Sequence, residues 1–193
     1  MIRSATLADI PAMLQIYAPY VLHTGYSFEY AVPTEEEFAR RLTHHIHYCP
    51  WFVWEENGQV LGYAYGAPAF ERAAYSWCAE VSVYLAPQVQ GKGVGRKLYA
   101  ALETVLFRLG YRVIYAIITT ENAASIAFHQ ALGYEKRAEF PGCGIKFGRE
   151  MGTVWLEKRS AAEGIPAAMP TAWEEVVKTN EKLSDILANL SLS

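Results

Sequence analysis

Residues 88–95 read "QVQGKGVG", with glycines at positions 91, 93 and 95. This stretch follows the apolar run "AEVSVYL" at 79–85 and precedes the amphipathic run "RKLYAALETVLFRLG" at 96–110. Glycine lets the backbone turn its N–H groups toward a ligand, and several such groups at a helix N-terminus bind a phosphate or pyrophosphate. We therefore expect an anion-binding loop between a strand and a helix.

The spacing of these glycines excludes two common phosphate loops. A P-loop requires Lys followed by Ser or Thr, but Lys92 precedes Gly93 and Lys97 precedes Leu98. A dinucleotide fingerprint reads GxGxxG in an early β-α-β unit, whereas this chain has GxGxG in mid-chain. A QxxGxG pattern from Gln90 to Gly95 remains, and a plain glycine-rich turn is the alternative.

The flanking sequence predicts a mixed α/β domain. A short strand and two helices are expected before residue 49, the second helix opening with acidic residues after Pro33-Thr34. Three strand-like runs follow as an antiparallel meander, the first two joined by the hairpin signal Asn57-Gly58. After the glycine loop we expect a helix, a strand, a helix ending at Gly133, and the strands "YEKRAEF" and "IKFGREMGTVWLEK".

The composition changes after residue 159, which divides the chain into three segments. We predict a domain over 1–159, a linker over 160–170 ("SAAEGIPAAMP") and an amphipathic helix over 171–193 that opens with a capping pattern. One apolar stripe of this helix comprises Trp173, Val176, Val177, Leu183, Ile186, Leu187 and Leu190. The stripe packs either on the domain or on a second subunit, and the sequence leaves both open.

Charge and hydropathy limit the classes of partner. Seventeen Lys and Arg against 20 Asp and Glu give a net charge of −3, which argues against a nucleic-acid partner. No apolar run is long enough to span a bilayer, and the N-terminus lacks a secretion pattern. We expect no membrane partner and a cytoplasmic location, with Cys49, Cys78 and Cys143 as reduced thiols.

Several separated segments resemble one enzyme family. The QxxGxG loop, followed by the Asn-initiated helix "ENAASIAFHQALGY" at 121–134, resembles the GNAT superfamily of acyl-CoA-dependent N-acyltransferases over about residues 1–159. Within it, "FERAAYSWCAEVSVYL" (70–85), "SIAFHQALGY" (125–134) and "IKFGREMGTVW" (145–155) are similar to phosphinothricin and methionine sulfone or sulfoximine N-acetyltransferases. The resemblance implies a GNAT fold, with a mixed, mostly antiparallel twisted sheet flanked by helices, and a homodimer. The C-terminal helix would be an addition.

The resemblance also implies acetyl-CoA as co-substrate, with no metal. The pyrophosphate would bind the backbone N–H groups of the loop, and the pantetheine arm would pair with the edge of the preceding strand. An asparagine at a helix start would lie near the same arm, although it is equally typical of an N-cap. The residues implied are Gln90, Gly91, Lys92, Gly93, Val94, Gly95, Ser82, Val83, Tyr84 and Asn122.

Two side chains match the family's catalytic positions. Glu80 is a carboxylate in a strand otherwise suited to burial, and an amine with a pKa of about 8 must lose a proton before it attacks a thioester. The resemblance makes Glu80 the general base, and a solvent-facing glutamate is the alternative. His129 matches the position that contacts the cofactor sulfur or protonates the departing thiolate, and an ordinary core histidine is the alternative.

The same resemblance implies an amino-acid pocket. Arg72 would face an anionic or oxygen-rich group of the substrate, because a guanidinium suits phosphinate, sulfone or carboxylate oxygens. Aromatic residues and a lysine would line the pocket, namely Phe28, Tyr63, Tyr75, Trp77 and Lys146. Where relatives read KFGRWLD, this chain has Glu150 and Gly152 in place of Trp and Asp. His44 and His47 share a helical face, for which we expect a solvated helix end rather than a metal site.

The function expected from the sequence is transfer of acetyl from acetyl-CoA to the α-amino group of a small amino acid or analogue, in a ternary complex. The alternatives are the same fold acting on a polyamine, an aminoglycoside or a protein N-terminus, and a CoA-binding module without catalysis. A binding module would need neither Glu80 nor His129.

Overall fold

A computed structural model of the chain describes residues 1–178. Helices α1 to α5 are Ile10–His23, Glu35–Tyr48, Val94–Leu109, Ala123–Ala131 and Trp173–Lys178. Strands β1 to β7 are Ile2–Ser4, Trp51–Glu56, Gln59–Pro68, Cys78–Leu85, Val113–Thr119, Glu135–Lys146 and Arg149–Arg159. Through β7 the order of helices and strands is the one predicted from the sequence.

The seven strands form one sheet in the order β1-β2-β3-β4-β5-β7-β6. Every neighbouring pair is antiparallel except β4 and β5, which confirms the expected mixed, mostly antiparallel sheet. The parallel register is short and runs from Cys78 opposite Val113 to Glu80 opposite Tyr115. Both strands continue beyond it, to Leu85 and Thr119, and the sheet therefore opens between them.

The two faces of the sheet are covered by different helices. The buried side chains of Leu98, Leu102 and Leu106 recur every four residues on α3, so one side of this helix packs on the sheet. A side chain at Gly66 of β3 would meet Leu106, which places this face of β3 under α3. The opposite face carries Tyr63, whose ring lies 6.3 Å from that of Phe38 in α2.

The end of the sheet differs from the sequence prediction. The run "IKFGREMGTVWLEK" was expected as one strand, but Phe147 and Gly148 form a turn between β6 and β7. Their φ angles are 51° and 71°, and positive φ at two successive residues is the geometry of a two-residue hairpin turn. The prediction was wrong because Phe is an uncommon residue at positive φ and gives no turn signal in a sequence.

The described part of the C-terminal segment packs back on the domain. Trp173 is 2% exposed, and its ring meets that of Phe52 edge-on at 5.9 Å. Glu174 contacts His47 of α2. The helix predicted over 171–193 is thus described only as far as Lys178, and Leu183, Ile186, Leu187 and Leu190 lie outside the described residues. The three-segment division of the chain stays a prediction.

Replacing Trp173 by Ala is expected to lower the free energy of unfolding by about 3–5 kcal/mol, because a fully buried indole leaves a large cavity when truncated. Urea denaturation monitored by circular dichroism measures the change. Ile165→Ala is the matched control, since Ile165 is 96% exposed and its truncation removes no packing. An equal, small effect of both substitutions would show that α5 is not docked in solution.

Two further sequence expectations concern membranes and thiols. Within residues 1–178 the structure contains no helix with both the length and the apolar character needed to cross a membrane. The cytoplasmic location stays a prediction. All three cysteines are free, and the buried thiol of Cys49 donates to the hydroxyl of Tyr111 at 3.1 Å.

Candidate active site

A narrow cleft lies where β4 and β5 separate. A cavity of about 70 Å³ is lined there by Ser82, Val83, Tyr84, Asn122 and His129, among others. It adjoins a wider cavity of about 310 Å³ beside the glycine loop, since both are lined by Val83, Asn122 and Ser125. The cleft therefore brings together the strand edge, the loop and the asparagine that the sequence assigned to a cofactor.

The glycine loop presents an open surface at the start of α3. Gly91 and Gly93 have φ angles of +71° and +79°, and a Cβ at either position would meet nothing within 4 Å. Gly93 is the N-cap residue of α3, whose first N–H groups lack acceptors within the helix. The loop thus offers the N–H groups at the start of α3 and the positive end of a helix dipole to an anion. The N–H of Lys92 instead donates to the carbonyl of Val89 at 3.4 Å. Lys92 and Arg96 are exposed beside it and add positive charge.

A side-chain contact that the sequence did not reveal fixes this loop. The amide of Gln90 donates to the hydroxyl of Tyr20 at 3.0 Å and to the carbonyl of Leu85 at 3.2 Å. The Tyr20 hydroxyl donates to the same carbonyl at 2.7 Å. Gln90 therefore joins the loop to the end of β4 with its side chain, and its backbone N–H donates to the carbonyl of Pro87 at 3.3 Å. Tyr20 lies 70 residues from Gln90, so no local motif could have indicated it.

Glu80 occupies the point where the sheet opens. It is the last residue of β4 paired with β5, and it lies opposite Ala67 of β3. Two residues along, Ser82 lies opposite Tyr65, so Glu80 shares the face of the sheet that α1 and α2 cover. Burial raises the pKa of Glu80, because a carboxylate loses hydration there. The environment is that of a partly buried carboxylate rather than of a solvent-facing glutamate, and the role of Glu80 as a base stays a prediction.

His129 is buried and has both ring nitrogens engaged. Its Nδ1 lies 2.7 Å from the carbonyl oxygen of Ser125, which can only accept, so Nδ1 carries the proton. Its Nε2 therefore accepts from the hydroxyl of Tyr99 at 2.9 Å. Burial lowers the pKa of His129 to about 4, and the imidazole is neutral near pH 7. The neutral ring argues against proton donation by an imidazolium, and contact of His129 with a cofactor sulfur stays a prediction.

We expect His129 to stay neutral in the folded protein from pH 8 down to about pH 5, because its pKa is lowered to about 4. The ring resonances in an NMR titration measure this directly. Exposed His23 is the internal control, since it lies at the end of α1 in contact with solvent. A midpoint for His129 at pH 6.5 or above would contradict the neutral assignment and restore an imidazolium as the proton donor.

Five of the six residues predicted for the amino-acid pocket fall into two groups, and the sixth, Tyr63, is buried on β3 against Phe38 of α2. Phe28 and Lys146 lie near the β6–β7 hairpin, where the Phe28 ring packs on Gly144 and a Cβ there would be 2.5 Å from that ring. The ammonium group of Lys146 donates to the backbone carbonyls of Val21, Thr24 and Ser27 at 2.6, 3.0 and 2.6 Å. These three bonds use all three of its N–H groups, so Lys146 holds the turn after α1 and has no donor left for a substrate.

The second group lies in the loop between β3 and β4. Arg72 is exposed there and precedes a 3-10 turn at Ala73–Tyr75. Tyr75 is 47% exposed, and Trp77 donates from its indole to the carbonyl of Ala168 at 3.3 Å. Arg72 and Tyr75 are accessible to a substrate, whereas Trp77 joins the loop to the segment after β7. The assignment of these residues to a substrate stays a prediction.

Gly152 and Glu150, the two residues that depart from the family pattern, have different surroundings. A Cβ at Gly152 would lie 2.9 Å from the carbonyl oxygen of Phe140 and 3.1 Å from Thr120. No side chain fits there unless the strands move. The backbone position of β7 therefore does not admit an Asp at residue 152. Glu150 is exposed near Gly142 and replaces an aromatic surface by a charged one.

Other features of the described residues do not form alternative sites. His47 contacts Glu174, and no group of three or more metal-binding side chains occurs within residues 1–178. Two wider surface clefts of about 600 and 700 Å³ contain neither Glu80 nor His129 nor the glycine loop. Among these cavities, His129, Asn122 and the glycine loop meet at the β4–β5 cleft, and Glu80 lies at the strand position where that cleft begins.

Comparison with known proteins identifies the fold and its family. Residues 2–155 match the family described as the acetyltransferase (GNAT) domain. The chain belongs to the GNAT family of acetyltransferases. A methionine sulfoximine and methionine sulfone acetyltransferase of Salmonella typhimurium is 36% identical over 168 residues, which cover 86% of this chain and 98% of that protein.

Solved structures of GNAT proteins share this architecture. A phosphinothricin acetyltransferase from Sinorhizobium meliloti, in complex with acetyl-CoA, superposes with a TM-score of 0.81 at 32% identity, covering 90% of this chain and 97% of that one. A ribosomal-protein-alanine N-acetyltransferase from Brucella melitensis gives a TM-score of 0.78 at 33% identity, covering 83% and 99%. These likenesses confirm the GNAT fold and the N-acetyltransferase class.

Proposed function

We propose that this GNAT protein transfers the acetyl group of acetyl-CoA to the α-amino group of a small amino acid or amino-acid analogue. One observation carries the proposal: the cleft that opens after Glu80 continues directly to the glycine loop at the start of α3. The reaction requires a thioester held in the cleft and a carboxylate that accepts a proton. Glu80 lies where the cleft begins. Relatives that acetylate methionine sulfoximine and phosphinothricin support the class of acceptor.

The glycine loop is proposed to bind the pyrophosphate of acetyl-CoA through backbone N–H groups between Gln90 and Gly95. Beyond the β4–β5 pairing, the edge of β4 at Ser82, Val83 and Tyr84 would hydrogen-bond the pantetheine arm as an added strand. Asn122 accepts from the N–H of Ser125 at 3.1 Å as the N-cap of α4. Its side-chain N–H₂ group has no acceptor within residues 1–178 and can donate to the arm.

The chemistry proceeds by direct attack without a covalent enzyme intermediate. The free amine nitrogen attacks the thioester carbonyl carbon, and the C–S bond breaks as the amide forms. Glu80 accepts the proton that the amine loses, directly or through a water, and its raised pKa makes it a stronger base than an exposed glutamate. The departing sulfur is proposed to contact His129, whose neutral ring is held by Ser125 and Tyr99.

Thiol release from acetyl-CoA by the purified full chain tests the proposal. L-phosphinothricin, L-methionine sulfone and L-methionine sulfoximine are supplied separately, and the N-acetyl product is identified by mass spectrometry. Release that depends on one of these amines supports the proposal. Binding of CoA without release for any small amino acid would overturn it and favour a CoA-binding module.

A second acceptor class is favoured by one specific likeness. The Brucella melitensis structure named for ribosomal-protein-alanine acetylation is as similar in fold as the small-molecule enzymes. A peptide beginning with alanine, assayed beside the free amino acids, discriminates the two classes. Faster turnover of the peptide would move the acceptor from a small amino acid to a protein N-terminus.

A homodimer is proposed from the resemblance alone. Sedimentation equilibrium of the full chain tests it. Deletion from residue 160 onward then shows whether the C-terminal segment contributes to the interface. A monomer of the full chain would overturn the proposal, and a dimer unchanged by the deletion would assign α5 to folding of the subunit.

A further inference from the structure

The segment after β7 runs past the N-terminal ends of β4 and β5. Residues 160–172, which we call the C-terminal strap, contain neither helix nor strand and connect β7 to α5. Most of their side chains are exposed, and the contacts that hold the strap use its backbone. The N–H of Ser160 donates to the carbonyl of Arg112 at 3.0 Å, and the N–H of Thr171 donates to the carbonyl of Leu109 at 2.8 Å. Both ends of the strap are therefore fixed to the segment that leads from α3 to β5.

The side chain of Arg112 holds the first half of the strap. Its guanidinium donates to the carbonyl of Ala162 and lies 3.4 and 3.5 Å from the carbonyls of Glu163 and Gly164. A guanidinium carries five N–H donors in a planar fork, which suits several successive carbonyls. The guanidinium therefore bonds the strap, whereas the backbone N–H of the same residue donates to the carbonyl of Trp77 at 2.8 Å.

Trp77 links the strap to the loop between β3 and β4, which we call the β3–β4 loop. Its indole N–H donates to the carbonyl of Ala168 at 3.3 Å, across 91 residues of sequence. Its own carbonyl accepts from the N–H groups of Arg112 and Val113, at 2.8 and 3.2 Å. These two bonds precede the parallel pairing of β4 with β5, which continues to Glu80. One side chain thus joins the strap to the strand that carries the proposed base.

The β3–β4 loop depends on its two ends for order. Residues 71–75 are exposed without interruption, so the middle of the loop buries little surface. At one end the ring of Phe70 packs on that of Trp155, with their centroids 6.3 Å apart. At the other end the strap bonds Trp77. A segment with few buried contacts opens easily unless its ends are held. Loss of the Trp77 anchor should therefore loosen the part of the loop that carries Arg72.

We propose that the C-terminal strap is a positioning element for the acceptor side of the enzyme. By holding Trp77 it orders the β3–β4 loop, and the ordered loop presents Arg72 and Tyr75 to the amine substrate. Trp77 and Arg112 are then positioning residues that act through the loop and do not touch the substrate. The strap lies outside residues 2–155, the part of the chain that matches the GNAT domain. The effect on the amine rests on the proposed function, whereas the ordering of the loop does not.

Limited digestion of the folded full chain with trypsin measures the order of the loop directly, because trypsin cleaves after Arg72. Trp77→Phe keeps a ring and removes the indole N–H, and Arg112→Gln releases the strap without changing the loop. Each substitution is expected to accelerate cleavage after Arg72 by about three- to tenfold, which corresponds to the loss of one hydrogen bond. Cleavage within α2, after Arg40 or Arg41, is the internal reference for general unfolding.

Steady-state kinetics with the best amine of the thiol-release assay measure the consequence for the reaction. Trp77→Phe and Arg112→Gln are each expected to raise the KM of the amine about three- to tenfold, since binding must then order the loop. The KM of acetyl-CoA should be unchanged, because its proposed contacts lie at the opposite end of β4. Combining the two substitutions should add little, since both break the same connection.

Trp54→Phe is the matched control for loss of an indole N–H. Trp54 is also half-buried, and its indole donates to the carboxylate of Glu56 at 2.7 Å within β2, outside the strap and the β3–β4 loop. The control should change neither the cleavage rate after Arg72 nor the KM of either substrate.

The possible outcomes separate this inference from the proposed function. Unchanged cleavage after Arg72 in both variants overturns the strap as a support of the loop. An equal rise in cleavage within α2 overturns it too, because the effect is then a general loss of stability. Faster cleavage after Arg72 with an unchanged KM for the amine overturns the role in acceptor binding and leaves the proposed function standing. Absence of thiol release with every amine overturns the proposed function, while the cleavage rates still decide whether the strap orders the loop.

Discussion

Replacing Glu80 by Gln is expected to lower kcat by about 10²- to 10⁴-fold while leaving the KM of acetyl-CoA nearly unchanged. Glutamine retains the size of the side chain but cannot accept the proton of the attacking amine. The cofactor contacts are proposed for other residues, so they should survive. Steady-state kinetics with the best amine of the thiol-release assay measure both parameters. Glu36→Gln, on the exposed first turn of α2, is the control for loss of one negative charge.

The pH dependence tests the same assignment. Burial raises the pKa of Glu80 above its ordinary value of 4.5, and the base form is lost as the pH falls through that raised pKa. The acid limb of kcat/KM in the wild type should therefore lie above pH 4.5 and disappear in Glu80→Gln. A variant with wild-type kcat, or with the same acid limb, would show that another group accepts the proton.

The stability of Glu80→Gln should change in the opposite direction from its activity. A folded-state pKa above the unfolded value means that ionisation of Glu80 favours the unfolded chain, so the native protein loses stability as the pH rises through the raised pKa. Removal of the charge is expected to raise the unfolding midpoint at pH 8. Near pH 4 the difference should shrink, because the carboxyl is then largely protonated in the folded protein.

Replacing Gly93 by Ala is expected to weaken acetyl-CoA binding by at least about tenfold, with a loss of about 1–2 kcal/mol in folding stability. A non-glycine residue at φ +79° is strained, which accounts for the stability loss. The added methyl group projects into open space beside the helix N-terminus, where the pyrophosphate is proposed to bind. Isothermal titration with CoA gives the affinity, and urea denaturation gives the stability.

Gly58→Ala is the matched control for this substitution. Gly58 has a φ of +75° and no atom within 4 Å of its ideal Cβ, so the strain and the exposure are the same. It lies in the turn between β2 and β3, apart from the proposed loop. The control should lose similar stability and retain CoA affinity. Equal affinities for the two variants would show that the loop does not bind the cofactor.

Some parts of the site depend on local sequence, and others depend on contacts between distant segments. The QxxGxG loop was placed correctly because glycine spacing, an apolar strand and a capped helix are all local features. Lys146 was assigned to the substrate by resemblance, yet its ammonium group bonds carbonyls 119 to 125 residues away. Tyr99 was not considered, although it holds His129 from a different helix. Contacts between residues so far apart in the chain produce no periodicity or characteristic spacing in the sequence.

The sequence by itself determined the order of helices and strands, the glycine loop and the GNAT resemblance, because each depends on residues a few positions apart. Only the tertiary structure decided that β4 and β5 part after Glu80 and that His129, held between Ser125 and Tyr99, is neutral. These properties depend on which distant segments pack together and on how much water that packing removes. Burial, strand register and hydrogen-bond partners are consequences of the folded chain as a whole.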